Sequence, residues 1–290
     1  MRYLLFLASI LVIVLLSMCA GLPEIPFFNT DGNVQKAGVI VMDAESPDVF
    51  IRAEAIPPTE VRAGRNVNVY FELRNKNTYS LKNVKLTVYD PCIFSGDIEK
   101  LITEIKANKT YTFSLKWTAG STDIDKDCKI KFRIEYDAEY SLFQNIAVLS
   151  QTEYEQREVS GTLHDIPIQS SFPDSPLKIL LSFSEAQPFM NNEKYYLQLD
   201  YRNAGSGVID VGKGAITIKP PVNVKDFTCS DYDSSLTNTE ALNFITNRAS
   251  TSSCSFTAST SQIMDIMSLS ITARYKYMLD NSILIKVKRA

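Results

Sequence analysis

The residues most clearly capable of chemistry are four cysteines. They form two pairs of sequence neighbours, one pair in each half of this 290-residue chain. The chain has five cysteines, and Cys19 belongs to the N-terminal segment. The even set of four that remains favours disulfides in an oxidising compartment, although three pairings are open. A zinc site is disfavoured, because no two cysteines have C-x-x-C spacing and the sequence contains one histidine. Pairing between sequence neighbours gives the predicted structural bridges Cys92–Cys128 and Cys229–Cys254.

Three aspartates at alternate positions, Asp123, Asp125 and Asp127, resemble the start of a calcium-binding loop. The motif is incomplete, because Cys128 stands where such a loop has glycine and Ile134 stands where it has glutamate. An ordinary solvated loop is therefore favoured over a surface Ca²⁺ site. No other cofactor is indicated.

The remaining polar residues offer no recognisable catalytic apparatus. The one histidine, His164, lacks the nucleophile setting of a hydrolase. Nothing fixes Asp231 and Asp233 at the separation that a glycosidase requires, so a polar loop is the favoured interpretation. The net charge of -3 and the scattered lysines and arginines argue against nucleic-acid binding. The sequence predicts a protein that is not an enzyme.

The N-terminus predicts export. Arg2 precedes an apolar run from Leu4 to Leu16, which is the pattern of a signal sequence. Lipidation at Cys19 after a lipobox-like Leu16-Ser17-Met18 and retention as a transmembrane anchor are both favoured over cleavage and release. Residues beyond the anchor are expected on the extracytoplasmic side of the cell membrane. Asn108, in the sequon Asn108-Lys109-Thr110, is then a weak candidate for glycosylation.

Downstream of the N-terminal segment, apolar and polar residues alternate with a period of two, which is typical of half-buried β-strands. Val67 to Leu73 and Ile130 to Tyr136 are examples. We therefore expect an all-β protein behind an N-terminal hydrophobic helix. The predicted segments are a signal or anchor (1–20), a tether (21–46), a first β-sandwich (47–150), a linker (151–175) and a second β-sandwich (176–290).

The second half of the chain repeats the first. A constant offset superposes Val69–Asn75 on Leu197–Asn203, so that core positions fall on core positions. We call it the repeat offset. A further slip of two positions places Leu86-Thr87-Val88 on Ile216-Thr217-Ile218. The sequence thus predicts two copies of one topology that fold separately. Each copy is expected to close with its own hairpin, Phe132–Tyr136 in the first corresponding to Ala273–Tyr277 in the second.

Two features depart from the repeat. The cysteines do not superpose, so the two bridges are expected to link different pairs of strands. An insertion over residues 230–253 occurs in the second copy alone, and its stretch from Glu240 to Asn247 is expected to form a short helix.

A strand ending in Arg74-Asn75, an Asn83-Val84 leading into the next strand and a closing hairpin at Tyr136 resemble the CARDB-like or immunoglobulin-like repeats of prokaryotic cell-surface proteins. The resemblance extends over about 47–150 and, more loosely, over 176–290. It implies two tandem immunoglobulin-like antiparallel β-sandwiches and a role in surface attachment or architecture. It transfers no functional residues.

The expected function is that of a non-enzymatic, membrane-tethered surface module whose partners are other surface proteins or glycans. The alternative is a subunit or accessory of a surface filament or secretion assembly that pairs through an edge strand. A ligand-binding lipoprotein is less favoured. Aromatic residues in apparent turns are candidate partner anchors, although covering their own core is the preferred interpretation: Tyr79, Phe94, Phe143, Phe189 and Tyr232.

Overall fold

The computed structural model describes residues 42–45, 49–56 and 60–290. The predicted signal or anchor segment, Cys19 and nearly all of the tether lie outside the described residues. The strands of the first half of the chain are β1 (Met42–Glu45), β2 (Val49–Ile56), β3 (Glu60–Arg62), β4 (Asn66–Asn75), β5 (Leu81–Asp90), β6 (Phe94–Gly96), β7 (Glu99–Ile105), β8 (Thr110–Ala119) and β9 (Lys126–Leu149). Those of the second half are β10 (Ser170–Ser171), β11 (Leu177–Phe183), β12 (Phe189–Met190), β13 (Lys194–Asn203), β14 (Val208–Asp210), β15 (Ile216–Lys219), β16 (Val224–Cys229), β17 (Ser252–Ala258) and β18 (Met264–Lys288).

Three sheets hold these strands, so the prediction of an all-β protein is confirmed. A five-stranded sheet has the order β1-β2-β4-β8-β6, and a four-stranded sheet has the order β11-β13-β17-β16. The nine-stranded sheet has the order β14-β18-β9-β5-β7, with β3 and β15 also paired to β18, and β10 and β12 paired to β9. Alternate residues of the strands are buried, as the period of two predicts.

Both smaller sheets pack their apolar faces on the nine-stranded sheet. In the first half of the structure, Phe71 of β4 meets Phe132 of β9 edge to face at 5.2 Å between ring centroids. In the second half, Phe256 of β17 meets Phe189 of β12 at 5.4 Å. All four rings are buried to 1% exposure or less. The result is two sandwich-like layer pairs that share one large sheet.

Two long strands, β9 and β18, run through both halves of the shared sheet. They pair with each other from Leu149–Met264 to Lys126–Val287. The first part of β9 pairs with β5 in the first half, and its last part pairs with β10 and β12 in the second half. The first part of β18 pairs with β15 in the second half, and its end pairs with β3 in the first half. Each half therefore receives one strand from the other half of the chain.

This arrangement corrects the expectation of two separately folding copies, each closed by its own hairpin. No turn interrupts β9 after Tyr136 or β18 after Tyr277, and the described residues belong to one compact unit. The sequence of β9 contains no Gly or Pro, and apolar residues occupy its even positions from Ile130 to Val148 with the exception of Gln144. The same sequence therefore fits one uninterrupted strand better than two strands joined by a turn.

The strand registers confirm the internal repeat. Val49 pairs with Asn75 in the first half and Leu177 with Asn203 in the second, so that both partners move by the repeat offset. Leu86 pairs with Ile134, and its equivalent Ile216 pairs with Ala273. In the last strands, Ile134 is therefore equivalent to Ala273. The predicted match of Phe132 to Ala273 was two positions off.

The two parallel strand pairings are also related by the internal repeat, and they identify the exchanged strands. Val61 of β3 pairs in parallel with Val287 of β18, and Phe189 of β12 pairs in parallel with Val148 of β9. Val61 and Phe189 are related by the repeat offset, and Val148 and Val287 are as far apart in sequence as Ile134 and Ala273. The end of β18 in the first half is therefore equivalent to the end of β9 in the second half. The two copies have exchanged their last strands within one chain.

One helix was not predicted, and one predicted helix was wrong. The linker contains helix α1 (Gln151–Ser160), which Ser150 caps at its N-terminus by accepting a hydrogen bond from the Glu153 N–H, and which Gly161 ends at a φ of 72°. The Glu240 to Asn247 stretch is not a helix. Its Leu242 N–H donates to the Val211 carbonyl at 2.9 Å, and Ile245 and Arg248 bond to each other. The backbone N–H and carbonyl groups that a helix would use are hydrogen-bonded to cross-strand partners instead.

Glycines shape the turn between β13 and β14, where the second copy departs from the first. The Gly207 N–H donates to the Tyr277 hydroxyl at 2.6 Å. A Cβ atom at Gly205 would clash with that hydroxyl, and one at Gly207 would clash with the Met278 carbonyl oxygen. The turn therefore requires both glycines because a buried tyrosine of the exchanged strand fills it.

Candidate binding groove

A groove of about 970 Å³ lies on the outer surface where the two halves meet. Its base is the middle of β9 and β18, and its sides are the loop between β4 and β5 and the end of β14. We call it the central groove. Its polar and charged lining includes Lys82, Asn83, Glu104, Asp137, Glu139, Asp210, Arg274 and Lys276.

The centre of the groove is also the centre of the repeat. Asp137 of β9 pairs with Lys276 of β18, and these two residues occupy equivalent positions in the two long strands. The next pair on the same face, Glu139 and Arg274, approaches to 3.7 Å between Oε2 and Nε. Opposite charges thus face each other across the ladder, and a slip of one position would turn them to the other face of the sheet. These pairs favour the observed register.

Hydrogen bonds hold the groove in place from the side and from below. Asn83 Nδ2 donates to Asp137 Oδ2 at 2.7 Å. Beneath the charged surface, the buried Tyr275 hydroxyl lies 2.7 Å from Ser175 Oγ and 3.4 Å from the Tyr79 hydroxyl. The carboxylates, the amide and the cations that line one groove are suited to binding a polar ligand by several hydrogen bonds. The groove lining includes neither histidine nor cysteine.

Another charged pair lies farther along the same ladder. Arg133 of β9 donates from Nε and Nη2 to the two carboxylate oxygens of Asp280 on β18 at 2.7 and 2.9 Å. This bidentate bond lowers the pKa of Asp280 and raises the pKa of Arg133. It joins residues that are far apart in sequence and favours the observed pairing of the exchanged strands.

The two predicted disulfides are confirmed. Cys92, in the turn before β6, bonds to Cys128 of β9 with a Cα–Cα distance of 5.7 Å. Cys229 of β16 bonds to its direct cross-strand partner Cys254 of β17, with a Cα–Cα distance of 3.9 Å. As expected, the bridges link different pairs of strands. The first fastens the loop after β5 to a shared strand, whereas the second lies within one sheet and closes the insertion.

The three aspartates considered for calcium are not gathered into one site. No cluster of three or more potential metal ligands occurs among the described residues. Asp125 accepts a hydrogen bond from the Arg289 N–H at 3.1 Å and pairs with Lys288 Nζ at 3.1 Å. These contacts lower the pKa of Asp125. Asp127 belongs to β9, so the stretch ties the start of β9 to the end of the chain.

The other candidate residues fall into two groups. Asn108 and His164 are exposed, the first in the turn between β7 and β8 and the second in a single 3-10 turn after α1. Glycosylation of Asn108 stays a prediction. Of the turn aromatics, Phe94 and Phe189 are buried, and the Tyr232 hydroxyl bonds to that of Tyr201 at 2.7 Å. These three and Tyr79 pack on the core, as preferred, whereas Phe143 on β9 is 43% exposed.

The sequence analysis missed the central groove because its charged residues belong to the polar face of two strands. The predicted hairpin ends its strand at Tyr136, so Asp137 and Glu139 were not recognised as part of a continuous charged face. The signal was present as unbroken alternation through Tyr136, Ala138, Tyr140 and Leu142 without a turn-forming residue.

Comparisons with known proteins show no family for this chain. No family model and no curated protein matches it. Among solved structures, the secreted serine protease VesC from Vibrio cholerae aligns over 84% of this chain and 51% of its own length, with 10% identity and a TM-score of 0.21. Escherichia coli alpha-2-macroglobulin activated by porcine elastase aligns over 84% of this chain and 33% of its own length, also with 10% identity and a TM-score of 0.21. The chain thus spans about half and a third of their lengths, and such low TM-scores support no inference.

No helix among the described residues is long and apolar enough to cross a membrane.

Proposed function

We propose that this protein is a non-enzymatic, membrane-tethered module of the cell surface, in which two immunoglobulin-like sandwiches act as a rigid spacer and adhesive unit. The proposed location is the extracytoplasmic side of the membrane, with the N-terminal segment as a lipid or transmembrane anchor. The resemblance to CARDB-like repeats belongs to this proposal. The single observation that carries it is the continuous ladder between β9 and β18.

The ladder argues for rigidity because both connections between the halves are paired strands. A 24-residue strand such as β9 extends about 80 Å at ~3.3 Å per residue. Bending at the junction would require breaking backbone hydrogen bonds of both long strands and exposing Tyr136 and Tyr277, whose rings lie 5.5 Å apart. A flexible linker between domains has no such cost. A spacer that holds a binding surface away from a membrane benefits from this stiffness.

Two further observations support the surface location and the adhesive role. Two disulfides are expected in an oxidising compartment and are rare in the reducing cytosol. The central groove offers charged and amide groups from both halves, and its geometry depends on the exchange of strands. Polar surface ligands such as glycans or segments of other surface proteins are its proposed partners.

The location is tested by labelling intact cells with a membrane-impermeant, lysine-reactive biotin. We expect labelling of exposed lysines such as Lys213 without permeabilisation, followed by recovery of the full chain on streptavidin. A cytoplasmic protein treated in parallel is the control. Labelling that appears only after the cells are permeabilised would overturn the proposed location.

The spacer role is tested by single-molecule energy transfer between dyes at Lys109 in the first half and Ser234 in the second, both exposed. We expect one narrow distance distribution. As a matched control, inserting two glycines after Ala138 and two after Leu279 interrupts both long strands and should broaden the distribution. A broad distribution in the unaltered chain would contradict the rigid spacer.

A further inference from the structure

Strand β11 forms an edge of the four-stranded sheet, and part of its backbone lacks a strand partner. The Ser184 N–H donates to the Tyr196 carbonyl on the β13 side, whereas the Ile179 N–H points the other way and donates to the Tyr140 hydroxyl at 3.4 Å. Leu181 and Phe183 share the orientation of Ile179, because backbone groups alternate along a strand. Among the described residues, no strand pairs with this side of β11.

The equivalent edge in the first half is covered. Strand β2 is related to β11 by the repeat offset, and it pairs with the short antiparallel strand β1. In that register Met42 faces Ala53, Ala44 faces Ile51 and Glu45 faces Phe50. The second half has no counterpart, because the corresponding residues Ser170 and Ser171 pair with β9 instead. The repeat therefore shows what kind of strand this edge accepts.

The free edge is also poorly protected against pairing. Proteins commonly guard such edges with proline, inward-pointing charges or a bulge. The seven residues of β11 contain no Pro or Gly, and Lys178 is the one charged residue among them. A cavity of about 460 Å³ lies alongside, lined by Leu181, Phe183, Ile168 and Gln144 among others. An extended strand has room to approach Leu181 and Phe183.

We propose that β11 accepts the Met42–Glu45 strand of a second copy of this chain, in the register that β1 adopts on β2. Applied to β11, this register places Met42 opposite Leu181, Ala44 opposite Ile179 and Glu45 opposite Lys178. Of the four facing pairs, Met42–Leu181 and Ala44–Ile179 are apolar and Glu45–Lys178 is of opposite charge, the kinds that stabilise neighbouring strands. The fourth pair, Asp43–Leu180, has no such attraction, and Lys178 exchanges its contact with Asp174, at 2.9 Å between Nζ and Oδ1, for one with Glu45. The Tyr140 hydroxyl gives up its long bond to Ile179. This inference goes beyond the proposed spacer function and does not depend on it.

The exchange is balanced in backbone pairing, because the donor copy loses four residue pairs on β2 and the complex gains four on β11. Protein concentration therefore decides the outcome. The contact is heterologous, since the donating and accepting surfaces differ, so it generates chains of copies rather than a closed dimer. A membrane tether raises the local concentration and favours such chains.

Register-specific cross-linking tests the proposal in the detergent-solubilised full-length chain, with Cys19→Ser to remove the remaining cysteine outside the two bridges. Asp43 is expected opposite Leu180, because its partner on β2 is Arg52. Separately purified Asp43→Cys and Leu180→Cys chains are mixed and oxidised. We expect a disulfide-linked pair at a yield about tenfold above that of Asp43→Cys with Ser182→Cys, whose Cα atoms are too far apart in this register.

Three results would overturn the proposal. They are no cross-link in either mixture, equal yields in both, or a Leu180→Cys homodimer, which would show that β11 pairs with β11 of the other copy. Circular dichroism of each variant confirms that it is folded. A Leu181→Pro chain provides an independent check, because its missing N–H faces the free edge and not β13. It should remain folded and fail to cross-link when introduced beside Leu180→Cys.

Discussion

The two halves of the molecule share strand order and register but differ in how their ends are secured. In the first half, β1 covers the edge of β2, and a disulfide fastens a loop to the shared strand β9. In the second half the edge of β11 is open, and the disulfide lies within the four-stranded sheet beside a long insertion. The common features are those that set the core, and the differences lie at edges and loops.

Two equivalent asparagines, Asn75 at the end of β4 and Asn203 at the end of β13, show the same contrast in their hydrogen bonds. In both halves the asparagine Oδ1 accepts a hydrogen bond from the backbone N–H two residues later, at 2.9 Å for Asn75 and 3.0 Å for Asn203. Its Nδ2 donates to the backbone carbonyl four residues later, at 2.7 Å in both halves. Asn75 also donates to the Ile105 and Lys106 carbonyls. The turn is a property of the repeat, and the extra bonds belong to the first half.

The largest expected effect comes from separating the halves. A fragment ending at Gly161 keeps all of β9 but lacks β18, and the end of β18 is a strand of the first sandwich. We expect this fragment, and the complementary one from Thr162, to be unfolded or aggregated alone and to form a 1:1 complex when co-expressed. Native mass spectrometry and circular dichroism measure this outcome. A monomeric, cooperatively folded N-terminal fragment would show that the halves are independent after all.

Removing either disulfide should have the next largest effect. The bridges close loops with sequence separations of 36 and 25 residues, so the chain-entropy model gives about 3 to 4 kcal/mol of unfolding free energy for each. We expect Cys92→Ser/Cys128→Ser and Cys229→Ser/Cys254→Ser each to lower the midpoint of one common transition in denaturant. Two separate transitions, with only one of them shifted, would contradict the coupling of the halves through the shared sheet.

The two asparagines should differ in measurable stability. Asn75→Ala removes four hydrogen bonds at a fully buried site and should cost about 3 kcal/mol, since unsatisfied buried groups cost ~1–3 kcal/mol. Asn203→Ala removes two and should cost about half as much. Urea unfolding of both variants measures the difference. Equal costs would mean that the contacts of Asn75 with Ile105 and Lys106 contribute nothing.

The smallest effect is expected at the exposed Arg133–Asp280 pair, which bridges the exchanged strands. Its bond lowers the pKa of Asp280, so the stabilisation is complete above the unfolded carboxyl pKa and is lost as pH falls through the folded pKa. Because both side chains are more than a third exposed, we expect about 0.2–1 kcal/mol. Asp280→Asn should lower stability at pH 7 by this amount and by progressively less below pH 4. An effect that persists at pH 2 would contradict this origin.

Much of the first half was predictable because each strand alternates apolar and polar residues on a fixed period. The repeat offset aligned β2 and β4 with β11 and β13, and the structure confirms that register pair by pair. The cysteine pairing followed from sequence proximity. The helix after Ser150 was not predicted, although its cap residue and Gly161 are visible in the sequence.

The sequence by itself determined the alternating pattern of the main strands, their buried faces and the repeat, since these depend on local period. Short sequence separation favoured the two disulfides among three possible pairings. Only the tertiary structure decided where β9 and β18 pair beyond Tyr136 and Tyr277. Two closed hairpins and two exchanged strands bury the same alternating residues, so burial alone does not distinguish them. The exchange requires uninterrupted strands through Tyr136 and Tyr277. Charged pairs such as Arg133–Asp280 add to it, and their members lie too far apart in sequence for any local pattern to connect.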